Sequence, residues 1–220
     1  MNNKVKRSIP KIQKQGTDFL LAEYEMLQRL RQGVVSADEG RLNFFIAIAS
    51  GAIFSFTFLD QIAEYTVAVI IAGAIVVNLF LLGVLTFARS VERSIRIIVY
   101  TRGMNRIRRY FVENHLAIER FLILPTNDDY PRFGTVGNLS NLVWLEPAAI
   151  IAIINSVVAT IGVAMLGGVV LKLHTMTNLL ICIATFIIIF SIQHRYHIGR
   201  YRKTEKIMEV RFPSKSKRQE

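Results

Sequence analysis

Four runs of apolar residues without a single charge punctuate the chain at 42–59, 66–88, 147–171 and 177–193. They are 18, 23, 25 and 17 residues long. A helix needs about 20 apolar residues to cross the roughly 30 Å hydrocarbon core, and about 17 to 25 suffice. Hydrocarbon supplies no hydrogen-bond partners, so a crossing segment must satisfy its backbone internally, and these runs are expected to be helices. The pattern predicts an all-α integral membrane protein with two transmembrane hairpins, at 42–88 and 147–193.

Outside the runs the periodicity changes. Residues 1–16 read as a basic, disordered leader. Across 17–33, Leu20, Tyr24, Leu27 and Leu30 recur three and four apart, the stripe of an amphipathic helix. Gly33 reads as its C-terminal stop. Ser36 and Glu39 then match the capping box at the start of the first span's helix. Val91, Ile95 and Ile98 carry the second span's helix beyond the apolar run until Gly103 interrupts it. The 89–146 segment continues with amphipathic pieces at 104–111 and 116–124, then a Pro/Asn/Asp turn and a Gly/Asn/Ser stretch. Pro147 suits the first turn of the third span. Residues 194–220 form a basic tail. Helix 17–32 is expected to pack on the extension 88–102.

Charge sets the threading. The 220 residues are 52% hydrophobic yet carry 27 Lys+Arg against 16 Asp+Glu. Residues 1–41 hold 8 of the basic residues, 89–146 hold 9, 194–220 hold 9, and the two hairpin loops hold only Lys172. Basic flanks stay on the cytoplasmic side, so both termini and the middle segment are expected there, in the cell inner membrane. The same arithmetic excludes a collagen, a disulfide scaffold and a soluble enzyme core.

Within the spans, Ser50, Asn78, Asn155 and Thr185 all fall about 12 to 15 Å from the cytoplasmic end at 1.5 Å per residue. Asn78 and Asn155 either hydrogen-bond to each other or to backbone, or form the polar constriction of a small channel or transporter. No Asp, Glu, Lys, Arg or His lies inside a run, so the usual machinery of ion coupling is missing. The third span carries small residues every four positions: Ala148, Ala152, Ser156, Thr160, Ala164 and Gly168. Such a ladder lets helices approach closely, within the chain or between copies.

Candidate chemistry is sparse. Cys182 is the only cysteine, so no disulfide forms within the chain. His194 and His197 are spaced for one helix face, but with their aromatic and cationic neighbours they read as an interfacial anchor rather than a metal site. Asp128 and Asp129 read as solvated turn residues. Arg102, Arg106, Arg108 and Arg109, beside Tyr110 and Phe111, are candidate contacts to an anion, anionic lipid headgroups or a partner protein, and equally the topology charge of a juxtamembrane helix. No phosphate loop, nucleophile elbow or metalloprotease motif occurs. No cofactor or metal is expected, nor a nucleic acid or nucleotide partner. The expected function is therefore non-enzymatic: a self-associating scaffold or membrane effector or sensor, working through its cytoplasmic helices. In layout alone the chain resembles small membrane components of bacterial antiviral defence, the four-span Kiwa protein and the SLATT-type effectors. That resemblance implies a defence role and carries over no site residues.

Overall fold

The computed structural model describes residues 11–62, 64–131 and 146–214. Residues 1–10 of the leader, most of the Gly/Asn/Ser stretch and the last six residues of the tail lie outside them. Four long helices dominate: α1 (Lys11–Ile62), α2 (Tyr65–Asn114), α3 (Pro147–Met165) and α4 (Thr175–Ile207). A 3-10 helix, Leu116–Phe121, follows α2, and no strand occurs among the described residues. All four long helices contain a stretch long and apolar enough to cross a membrane.

Both predicted breaks are absent. α1 runs through Gly33, Ser36 and Glu39 for 52 residues, and α2 runs through Gly103 for 50. Residues 11–16, read as disordered leader, are its first turns. A glycine inside a helix costs about 1 kcal/mol relative to alanine, which hydrogen bonding over both flanking stretches outweighs. The capping-box residues serve no cap, because the amides they would satisfy already bond to the preceding turn.

The chain divides into two compact units. One comprises residues 35–95 and α3 and α4. Its core uses one face of α2, with Ala68, Ala72, Val76, Leu79, Gly83, Phe87 and Val91 buried at intervals of three and four. Phe45 of α1 and Asn155 of α3 reach this face at Gly83, and Leu59 packs with Ala68 and Ala72. Ala49 of α1 and Ala148, Ile151 and Ala152 of α3 are buried as well. α3 ends in a π-helical turn, Leu166–Val170. Asn178 of α4 donates to the Ala164 carbonyl at 3.1 Å, satisfying a group that the end of α3 leaves open.

The other unit gathers residues up to 34, 96–132 and 209 onward. Here Leu27 packs on Gly103, where an added Cβ would lie 3.2 Å from Leu27 Cδ1. Gly103 is thus a contact surface and not a break. Tyr24 and Leu27 of the N-terminal helix meet α2 at Arg108 and Gly103, just past the far end of the extension 88–102.

Candidate functional site

At one end of their apolar stretches the four helices are tied by polar links, several of them buried. On α1, Asp38 is 4% exposed and accepts hydrogen bonds from Ser90 Oγ at 3.0 Å and Arg93 Nη1 at 3.3 Å, both on α2. One turn-face away, Glu92 of α2 accepts from Arg200 Nε of α4 at 2.7 Å. Tyr201, one residue on, donates to Glu146 Oε2 at 3.3 Å, and Glu146 is the N-cap position of α3. Ser94 of α2 also bonds to Tyr201. Each helix is therefore joined to another by a polar link in this belt.

Gln193, His197 and Tyr201 are spaced four apart on α4 and all are buried. His197 Nε2 stands 3.7 Å from Glu146 Oε2, too far for a hydrogen bond. Among the described residues, that nitrogen and both amide atoms of Gln193 have no hydrogen-bond partner. Burial pushes Asp38, Glu146, His197 and Tyr201 toward their uncharged forms. It lowers His197 to about 4, helped by His194. It raises Glu146, with Asp38 adding to the rise against the Tyr201 hydrogen bond. It raises Asp38 despite Ser90 and Arg93, and it raises Tyr201. The His197–Glu146 approach is therefore not a formed ion pair. The interfacial-anchor reading fails for His197 and Tyr201, which face inward, while His194 stacks on Phe190 with ring centroids 6.1 Å apart.

The four polar span residues do not converge within the chain. Ser50 is exposed. Asn78 is exposed too and donates to its own helix at Ala74 O, 2.8 Å away. Thr185 donates to Ile181 O at 2.8 Å and lines an apolar groove of about 580 Å³ with Gly73, Phe80, Ala159 and Gly162. Asn155 alone is fully buried, and its amide has no hydrogen-bond partner among the described residues. The small-residue ladder largely faces its own chain. Ala148, Ala152 and Ser156 are buried. Thr160 and Ala164 are half-buried, their carbonyls turned toward Cys182 and Asn178 of α4. Gly168 is exposed.

In the second unit the arginine cluster is built into the fold. Arg102 is 1% exposed and donates from Nε to Pro131 O at 3.0 Å. Arg106 donates to Asp128 Oδ2 at 2.7 Å and also to the Glu209 carbonyl. Arg108 bonds to Asn105 Oδ1 at 2.7 Å and Tyr24 Oη at 2.6 Å, its guanidinium lying 5.3 Å from the Tyr24 ring centre. Arg109 pairs with Glu113 at 2.8 Å. Asn105, which the sequence reading passed over, is fully buried and holds the turn by donating to Asn127 O and Tyr130 O.

Asp128 and Asp129 are buried, not solvated. Asp128 accepts from the Arg211 amide at 3.0 Å and the Phe212 amide at 2.8 Å, and its own amide donates back to Phe212 O. Asp129 accepts from Ser214 Oγ at 2.7 Å. Burial alone would raise the Asp128 carboxyl, but the two amides and Arg106 outweigh it and hold it below the usual carboxylate range. The paired acids are thus the anchor of the C-terminal segment. Among the described residues no cluster of three His, Cys, Asp or Glu gathers closely enough to hold a metal ion. Comparison with protein-family models, curated proteins and solved structures finds no match to this chain.

Proposed function

We propose that this membrane protein works without enzymatic chemistry, as a self-associating scaffold or membrane effector or sensor of the cell inner membrane. In this reading both termini and residues 89–146 face the cytoplasm and meet a protein partner or signal there, while anionic headgroups contact the basic flanks. The observation that carries it is the polar belt. It ties α1 to α2, and α4 to both α2 and α3, just where α1 and α2 leave their apolar spans and continue unbroken as polar helices. A signal received on those polar stretches travels along the same helices to the links of Asp38 and Glu146, whose carboxyls burial holds toward the uncharged form. Defence is the biological setting that the layout suggests.

The test is mass by light scattering of the full chain in mild detergent and in nanodiscs, with dye release from liposomes alongside. Assemblies larger than a monomer are expected. A monomer at every accessible concentration would overturn self-association, and solute-selective uptake without assembly would favour the small transporter instead.

A further inference from the structure

The face of α2 opposite its core carries Val67, Ile71, Ala74, Asn78, Leu81 and Leu85, and every one of them is exposed. Their spacing alternates between four and three, so that Val67, Ala74 and Leu81, and likewise Ile71, Asn78 and Leu85, repeat every seven residues. That is the seam of a left-handed helix pair, in which a period of 3.5 keeps one stripe facing the partner helix. At its centre stands Asn78, ten residues from the inner end of a 23-residue span and so about 15 Å deep, near the bilayer midplane.

Lipid cannot be the natural cover for that position. The Asn78 amide donates once, to Ala74 O, and hydrocarbon offers nothing to the rest of the group. A helix presenting a matching amide at the same depth does. Two copies of one chain insert in the same direction, so their α2 helices run parallel and each seam residue meets its own counterpart. The single polar residue then sits opposite another Asn78, and a polar side chain at one seam position fixes register in such pairs. We propose that a second copy of this chain docks on the α2 seam through a two-fold axis along the bilayer normal, with the Asn78 amides hydrogen-bonded to each other. The inference rests on self-association and names its surface.

Cysteine mapping tests it on the full chain in nanodiscs, in a Cys182→Ala background that removes the native thiol. Single cysteines replace Ile71, Ala74, Leu81 or Leu85 on the seam, and Val77 or Val84 as controls. Both controls are exposed but lie about 80° and about 100° around the helix from the centre of the stripe. A disulfide forms only when Cβ atoms approach to about 4 Å, so oxidation separates seam from flank. The expected result is a covalent dimer at seam positions and little at Val77 or Val84. Asn78→Leu should weaken dimerisation about fivefold, and Asn78→Gln should recover part of it. Equal linking at seam and flank in a protein that is oligomeric by mass would overturn the seam and leave self-association standing. A protein monomeric by mass, with no links at any position, would end both, and the seam would then belong to lipid or to a different protein.

Discussion

The side chain of Asn155 lies in the notch left by Gly83: a Cβ built on Gly83 would stand 2.9 Å from Asn155 Cγ and 3.1 Å from Phe45 Cζ. Three spans meet there, and no side chain larger than hydrogen fits between them. Gly83→Ala should therefore force α2 away from α3 and cost about 1–3 kcal/mol, the usual penalty of overpacking. Asn155→Ala removes the obstructing amide, so the double variant should be more stable than the two single losses add up to. Thermal unfolding of the four proteins in one detergent measures this, and additive losses would show that the two residues do not meet.

Asp128 holds the C-terminal segment through two backbone amides and one guanidinium. Its carboxyl is depressed, so the stability that it contributes is complete above its unfolded value of about 3.9 and is lost as pH falls below that. The protection of the Arg211 and Phe212 amides against hydrogen exchange, relative to their intrinsic rates, should be high at pH 6 and fall below about pH 4. Asp128→Asn should show the low protection already at pH 6. Unchanged protection in that variant would mean that Arg106 and the Glu209 carbonyl suffice to hold the segment.

The guanidinium of Arg102 is enclosed, not offered to a ligand. Arg102→Met should loosen the 125–131 turn and make it sensitive to protease, leaving inorganic phosphate affinity unchanged. Arg109→Met, which breaks only a half-exposed i,i+4 pair, should shift stability by less than about 0.5 kcal/mol. If the two variants behaved alike, the difference in their burial would have no energetic meaning.

The four spans were legible because their signal is local: an uncharged run of 17 to 25 residues has few other stable fates. The continuity of α1 and α2 was not. Gly33, Gly103 and the Ser36–Glu39 box are genuine local stop signals, and the hydrogen bonding of long helices on both sides outweighed them. The belt was hidden for a different reason. Asp38 meets Ser90 across 52 positions, and Glu92 meets Arg200 across 108, distances over which no spacing rule operates. Asp128 and Asp129 resembled solvated turn acids because the groups that bury them, at 211–214, lie 83 to 85 residues away. Local chemistry located the elements, and the long-range pairs decided which polar residues face inward.

The belt should respond to acid with a definite sign. His197 is held neutral to about pH 4, against an ordinary value of 6.5. Its contribution is therefore complete above about 6.5 and is lost as pH falls toward 4, because unfolding frees the imidazole to take a proton. Asp38 and Glu146 act oppositely: their raised carboxyls favour the folded state at low pH, and that advantage fades as pH rises through their folded values. In the wild type the two trends offset each other. His197→Gln removes the first and keeps the second, so the melting temperature of the variant relative to wild type should climb steadily as pH drops from 7 to 5. Glu146→Gln should do the reverse and leave the acid loss of His197 uncovered. Parallel melting curves for all three proteins across that range would show that His197 and Glu146 do not titrate in the folded belt as their burial demands.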